Sequence, residues 1–456
     1  MPAAHSAPSA DLPRSLGLFS ATLLVVGGII GSGIFFTPSE VARALPGGGW
    51  VLLVWAAGGL VALAGALTYA ELGAMMPSAG GPYVYIREAF GSLPAFLYAW
   101  MTIASIATGA LAAVAVGFAR SLERLVPLDA VGGPLPVAAA TIALLCATNY
   151  FGVRPGAVVT NVLTVAKIAV LAVLVGGGVL LWTRLGAPPA AAGAPAPRDT
   201  LLVALLAAFP PVLFTIGGWQ QMNMVAGEIR DPGRTIPRAL IYGILIVIAC
   251  YLGANAVYLR ALGRDGLAAS GAVAADAAVR IVGAGGARLV GAGVMLSILG
   301  FVNVVILANS RVVFAMAHDG YFLAAAGRVH PRHGSPHVAI VALGAAALVL
   351  LAFTRGDLGQ LLSAVVFADW IFFGLGAASV FALRRLRPDA PRPYRAIGYP
   401  AVPAFFVLAA VVGIVSSFVA APRTSLLGVL LLAAGVAAHA VARRAGAAPA
   451  GPPRGA

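Results

Sequence analysis

Charged residues are scarce in this chain of 456 residues. Asp, Glu, Lys and Arg together make up 10% of the sequence, whereas 61% is hydrophobic and the mean hydropathy is +0.97. A soluble globule of this size needs more charge to cover its surface. The composition therefore excludes a soluble protein. It predicts an all-α integral membrane protein, because helices satisfy their own backbone hydrogen bonds inside lipid.

Cysteine is nearly absent as well. Cys146 and Cys250 both lie in apolar stretches, so we expect no disulfide-linked partner subunit. No Cys/His cluster has the spacing of a metal site, and no Gly-rich loop of the ATP-binding type is present. These absences predict a protein that works without a cofactor, without a metal and without nucleotide hydrolysis.

The net charge of +14 comes from arginines in short loops between apolar stretches. In a soluble protein this charge would suggest a nucleic-acid partner, but here it serves better to orient the chain. A modest arginine excess in one set of loops predicts that both termini are cytoplasmic. The first apolar run is too long for a signal peptide. We therefore expect an uncleaved, multi-pass protein of the cell inner (cytoplasmic) membrane.

The apolar stretches suffice for about twelve transmembrane helices, at about 20 residues for each span. The predicted spans lie near residues 16–45, 50–76, 89–119, 135–151, 157–183, 200–227, 238–260, 287–316, 337–353, 358–383, 401–421 and 425–442.

Two of these spans are broken by glycines at mid-length, at residues 27–33 and 215–219. A break inside lipid leaves N–H and C=O groups unpaired, so it must face protein or a small polar guest. Breaks at matching positions are typical of transporters built from two inverted halves. Because five spans form an odd number, the second half would enter the membrane from the opposite side. The predicted division is a cytoplasmic tail at 1–15, repeats at 16–183 and 200–383, two added spans in 401–442 and a cytoplasmic tail at 443–456.

The two breaks offer complementary chemistry. The outer half of the first span would begin near Ser32 to Ile34, where free N–H groups and a positive dipole end suit a carboxylate. In the sixth span Pro210 and Pro211 would loosen the helix before 214–219, so that freed carbonyls can accept hydrogen bonds from an ammonium group. Together these groups describe an α-amino acid. At the first break Gly27, Gly28, Gly31 and Gly33 would remove side chains so that a ligand can approach the backbone. The alternative is that the glycines only permit close helix packing.

The sequence motifs resemble those of a known family, the amino acid–polyamine–organocation transporter superfamily. Within this superfamily they are most similar to the L-type amino acid transporters and their bacterial relatives. The resemblance runs from about residue 16 into the segment before the eleventh span. Its motifs are Val26 to Phe35, Tyr69 to Gly73, Pro77 to Tyr83, Asn161 to Lys167, Gly217 to Trp219 and Arg392 to Arg395.

The resemblance implies a 5+5 inverted repeat that works by alternating access. It implies that Ile29, Gly31, Ser32 and Gly33 hold the carboxylate and part of the ammonium group of the substrate. Phe214, Thr215 and Gly217 would complete the ammonium site. Phe214 also matches the family's aromatic gate. Trp219 is a second candidate for gating, although a membrane tryptophan is more often a packing residue.

Lys167 is the only lysine of the chain and lies within a long apolar span. An ammonium group there is costly unless it is paired, hydrated or deprotonated. In sodium-independent members of the superfamily a lysine of the fifth span stands in for a sodium ion, so the resemblance implies this role for Lys167. The alternative is a side chain that snorkels toward the cytoplasm.

Asp369 of the tenth span is a second charge within the membrane, at a position where several relatives carry Asn. It could bind a cationic substrate group, relay protons or pair with neighbouring helices. Glu71, Glu228 and Arg311 lie near the inner ends of their spans. We interpret them as structural pairs and as a candidate inner gate.

The sequence thus predicts a secondary carrier for an α-amino acid, chiefly a neutral one, that works by sodium-independent exchange or proton-coupled uptake. The alternative within carriers is an amine, polyamine or cationic amino acid permease, which needs acidic groups but no carboxylate donors. A channel would lack two gates, and an intramembrane enzyme would need a compact catalytic set that the sequence does not contain.

Overall fold

The computed structural model describes residues 12–123, 126–186, 188, 200–356 and 359–444. Within these ranges the regular structure is helical and contains no β-strand, only an isolated bridge between Leu16 and Ile229. The α-helices in chain order are α1 (Leu18–Ile29), α2 (Gly33–Ala44), α3 (Gly48–Met75), α4 (Pro82–Phe90), α5 (Ser92–Met101), α6 (Ala107–Glu123), α7 (Pro134–Tyr150), α8 (Val153–Leu180), α9 (Leu201–Ile216), α10 (Gln221–Met224), α11 (Pro232–Ala269), α12 (Val273–Val282), α13 (Ala284–His318), α14 (His337–Thr354), α15 (Gly359–Leu386), α16 (Ala401–Ala420) and α17 (Pro422–Arg444).

Helices of membrane length dominate the described ranges, as the composition predicts. Ten helical segments are long and apolar enough to cross a bilayer when α5 with α6 and α9 with α10 count as one segment each, and the pair α1 and α2, bent by 42°, makes an eleventh. The predicted fourth span is α7, whose 17 residues fall just short of that length. Each of the twelve predicted spans falls on helical structure, and the first, third and sixth are each made of two helices. The expectation of an all-α membrane protein is confirmed.

The C-terminal half of helix α1 is enclosed by protein. It is apolar on every side, and its residues 23–29 are all buried. A helix that is hydrophobic all round is a buried one. It contacts α8, α11 and α13. The interruption that follows it therefore faces protein, as a gap in backbone pairing inside a membrane must.

Small residues allow these helices to approach closely. A Cβ atom on Gly243 of α11 would lie 2.5 Å from the Val25 side chain of α1, and one on Gly178 of α8 would lie 2.4 Å from Val257. Real Cβ atoms do not come this near to a neighbour. Close packing of this kind drives helix association in lipid, where the hydrophobic effect between helices is absent.

The sixth span differs from the prediction at its prolines. Pro210 and Pro211 lie inside α9, which continues to Ile216. The prolines remove two N–H donors from the helix, yet the chain leaves helical conformation only at Gly217 and resumes it at Gln221. The helix therefore does not end at the prolines, and the glycines after Ile216 make the opening.

The third span contains a feature that the sequence pattern did not predict. Helices α5 and α6 are joined by one turn of π-helix, Thr102–Ile106. The wider turn re-aims the side chains that follow it, and such turns occur frequently at functional sites. Ile106 and Ala107, at the end of this turn, line the cavity that is described next.

Candidate functional site

The two breaks touch each other through their backbones. A Cβ atom on Gly218 would lie 2.1 Å from the carbonyl oxygen of Gly28, at the end of α1. Gly218 also has a φ of +101°, a conformation that residues with a side chain rarely adopt. Glycine is therefore required at this contact for two independent reasons. The prediction that the two interrupted spans meet is confirmed.

The outer part of the first span begins with free N–H groups. Ser32 precedes α2, and no side chain caps this helix. The N–H groups of Ser32, Gly33 and Ile34 have no acceptor among the described residues. The first N–H groups of a helix carry its positive partial charge. This end can therefore hold a carboxylate.

Helix α9 ends in unpaired carbonyl groups. The Gly217 N–H donates to the Phe214 carbonyl oxygen at 3.3 Å, and the carbonyls of Ile216 and Gly217 accept no hydrogen bond within the described ranges. The last carbonyls of a helix carry its negative partial charge. This end can therefore hold an ammonium group.

One cavity opens onto both helix ends. Its lining includes every residue that was predicted to bind the substrate, namely Ile29, Gly31, Ser32, Gly33, Phe214, Thr215 and Gly217. Phe214, the predicted aromatic gate, is 40% exposed, so packing does not lock its ring in place. The cavity thus brings an anion-binding and a cation-binding helix end together.

Gly27 and Gly28 of the first break face protein and not the cavity. A Cβ atom on Gly27 would lie 2.5 Å from Thr164 Oγ1 of α8, and one on Gly28 would lie 2.8 Å from the Gly218 carbonyl oxygen. Both face protein, so the expectation that they clear space for a ligand is wrong. They clear space for a neighbouring helix and for the other break.

The rest of the cavity wall comes from spans that the sequence motifs did not identify. Its apolar part includes Ala110 and Val114 of α6 and Val305 of α13, and its polar part includes Tyr98 and Asn309. Single apolar residues on an apolar helix carry no local signal, so only the packing of the helices shows which of them face the cavity.

Lys167 is buried behind the first break and does not line the cavity. Its Nζ lies 2.6 Å from the carbonyl oxygen of Ile30 and 3.2 Å from those of Gly27 and Ser297. The side chain thus joins the opened backbone of the first span to α13. The alternative in which Lys167 snorkels toward the cytoplasm is wrong, because its amine is engaged at the break.

Two hydroxyl groups at the breaks were not singled out from the sequence. Ser297 Oγ donates to the Ile30 carbonyl oxygen at 3.0 Å. Tyr251 Oη of α11 lies 3.2 Å from the carbonyl oxygens of Ile29 and Thr215, one in each broken span. Since a hydroxyl carries one proton, Tyr251 donates to one of them at a time. It therefore connects the two breaks through the carbonyls that they leave open.

Trp219 lies behind the second break. It is 2% exposed and meets the ring of Tyr69 edge-on at 5.0 Å and that of Phe406 at 5.7 Å. It is not part of the cavity lining. These contacts are those of a packing residue, whereas Phe214 lines the cavity.

The acidic residues of the sequence analysis divide into two groups. Glu228 pairs with Arg311 at 2.7 Å, and both side chains are fully buried. Glu71 pairs with Arg384 at 2.6 Å, so it is not part of the same pair. Asp369, by contrast, lines the cavity and has no ion-pair partner among the described residues.

No group of His, Cys, Asp and Glu in the described part of the chain could hold a metal ion. What the arrangement can do is bind. It presents two helix ends of opposite polarity, an apolar wall and one carboxylate to a small guest inside a membrane. The fold and the site are those of a multi-pass membrane transporter rather than an enzyme.

Comparison with known proteins gives the family. A family model described as amino acid permease matches residues 16–437. The human b(0,+)-type amino acid transporter 1 is 31% identical over 391 residues, which cover 84% of this chain and 79% of the relative. The rabbit and human large neutral amino acids transporter small subunit 2 are each 33% identical over 394 residues, which cover 84% of this chain and 72% of the relative. The chain therefore belongs to the amino acid permease family, within the superfamily that its motifs indicate.

Proposed function

We propose that this protein is a secondary carrier that moves an α-amino acid across the membrane by alternating access. The observation that carries the proposal is the shared cavity: free N–H groups at the start of α2 and free carbonyls at the end of α9 both face it. These groups match the carboxylate and the ammonium group of one small zwitterion. The transport of amino acids by the relatives supports the same reading.

The cavity wall suits a neutral side chain for part of its surface. Ile106, Ala107, Val114 and Val305 present only carbon atoms to the guest. Apolar walls with a few placed polar groups are the usual composition of small-molecule sites. One group of relatives is named for large neutral amino acids, which agrees with this wall.

Transport is independent of sodium in this proposal. The amine of Lys167 occupies the point where three backbone carbonyls converge. Such a cluster of carbonyls is what a bound cation requires, so a fixed amine makes an added ion unnecessary. The coupling is then either exchange or proton uptake.

The buried pair of Glu228 and Arg311 closes the inner side. The N–H groups of Ser15 and Leu16 donate to the Glu228 carbonyl oxygen at 2.9 Å, which seats the N-terminal segment against it. Opening inward would have to break these contacts. The arginine distribution supports an inner membrane with both termini in the cytoplasm.

No disulfide-linked partner is needed for this activity. The relatives named small subunit belong by that name to larger assemblies, but the two cysteines of this chain lie half-buried in α7 and α11. A cysteine within a membrane span cannot form a disulfide with a partner outside the membrane.

The decisive experiment tests whether both α-groups are required. Purified protein in liposomes would be offered leucine, its methyl ester and its decarboxylated amine as competitors of labelled leucine uptake. We expect competition by leucine alone, because each broken span satisfies one of its α-groups. Equal competition by the decarboxylated amine would replace the proposal with the amine permease.

A further inference from the structure

The carboxyl group of Asp369 has no partner in the part of the protein that the structure describes. It lies on α15 and lines the same cavity as the two breaks. Its side chain forms no hydrogen bond or ion pair with any described residue. Among the described lining residues no arginine or lysine is present. The buried cations Lys167 and Arg311 are engaged elsewhere, since Lys167 binds backbone carbonyls and Arg311 binds Glu228.

Other carboxylates in the described part of the chain have an arginine partner, which Asp369 lacks. Glu71 has Arg384 at 2.6 Å, and Asp319 has Arg87 at 2.6 Å. A carboxylate at membrane depth is costly, and such groups pair with a cation or line a pathway for the substrate or an ion. A structural role would require a partner on a neighbouring helix, which Asp369 does not have.

We propose that Asp369 binds the positive side chain of the substrate. The carrier then accepts cationic α-amino acids and prefers them to neutral ones of equal length. The proposal rests on the proposed function, because the two helix ends must first hold the α-groups. Tyr98, Trp370 and Phe373 line the cavity together with Asp369, and aromatic faces attract ammonium and guanidinium groups.

The test compares side chains of equal shape and different charge. Arginine against citrulline, and lysine against norleucine, would compete with labelled leucine uptake by the wild type and by Asp369→Asn in liposomes without a pH gradient. For the wild type we expect arginine to compete at least about tenfold better than citrulline, as charge-assisted contacts allow. In Asp369→Asn the ratio should fall to about one, because the amide keeps the shape but loses the charge.

Leucine provides the internal control. Because arginine and citrulline compete with the same leucine uptake, their ratio within each variant does not depend on how far Asp369→Asn changes the leucine rate itself. Asp265→Asn is the matched control, because this acid is 55% exposed and paired with Arg264 outside the cavity. Asp369→Glu should keep the preference for arginine and serves if the Asn variant does not fold.

The outcomes separate this inference from the function on which it rests. A wild-type ratio near one, or a ratio that survives in Asp369→Asn, overturns the inference while leucine transport stands. An unchanged ratio, together with loss in Asp369→Asn of the leucine accumulation that an imposed inward proton gradient drives in a separate assay, would assign Asp369 to proton coupling and would also overturn the inference. Absence of competition by every amino acid would overturn the proposed function instead.

Discussion

The contact between Gly28 and Gly218 predicts that Gly218→Ala stops transport and destabilises the protein. The added methyl group would start 2.1 Å from a backbone oxygen, and the residue would keep a φ of +101°. A backbone atom cannot rotate away as a side chain can. One of the two broken spans would therefore have to shift by about 1 Å, a displacement typical of overpacked cores.

The magnitude follows from these two effects. A side chain in left-handed conformation costs roughly 1–2 kcal/mol, and overpacking costs roughly 1–3 kcal/mol. We therefore expect a loss of about 2–5 kcal/mol in the free energy of unfolding, together with loss of leucine uptake, because the displaced ends no longer face one guest.

Thermal unfolding in detergent and uptake in liposomes would measure the two effects. Gly117→Ala is the matched control, because Gly117 is inside α6, has no positive φ, and has no atom within 4 Å of its Cβ position. That variant should be as stable as the wild type or more stable by up to about 1 kcal/mol. Uptake by Gly218→Ala within twofold of the wild type would refute the geometry from which the site was built.

Three further predictions concern the residues around the cavity. Lys167→Met keeps the length of the side chain but removes the donor for three carbonyls, so we expect uptake to fall at least about tenfold. Uptake by the wild type should proceed in sodium-free buffer. A strict sodium requirement would contradict the role of the amine. Ser32→Leu should abolish uptake with little change in unfolding temperature, since Ser32 is only partly buried and lines the cavity. Gly33→Leu would also clash with Thr215 at 2.7 Å, so this variant should unfold at a lower temperature. Normal uptake by Ser32→Leu would mean that the substrate carboxylate binds elsewhere. Glu228→Gln leaves the buried Arg311 charge without its counter-ion, so we expect the free energy of unfolding to fall by about 3–5 kcal/mol. The double variant Glu228→Gln with Arg311→Met should recover part of this stability. A Glu228→Gln variant as stable as the wild type would show that the ion pair is not formed in the folded protein.

The sequence motifs predicted which residues line the cavity better than they predicted what each glycine contacts. The glycine strings and the family motifs predicted seven residues that line one cavity, because an opened helix needs glycine and glycine is visible in a sequence. They also assigned Gly27 and Gly28 to the ligand, although both contact protein. A glycine string shows where a backbone is exposed but not which neighbour approaches it.

Roles that depend on distant contacts were beyond the sequence. Lys167 could be read as a snorkelling residue or as a link between spans, and only the position of its amine beside Ile30 separates the two. Tyr251 and Ser297 carry no motif, since a hydroxyl group in an apolar helix becomes informative only when its acceptors are known. The π-helical turn at Thr102–Ile106 likewise has no signature in its residues.

The sequence by itself determined that this is a helical membrane protein with two interrupted spans, because apolar length and glycine position are local properties. It also predicted the chemistry of the two open helix ends. The tertiary structure decided which polar groups are satisfied. It pairs Glu228 with Arg311 and Lys167 with the first break, and it leaves Asp369 facing the cavity without a partner. The physical reason is that pairing depends on distances between residues of different helices, and those distances arise only when the helices pack.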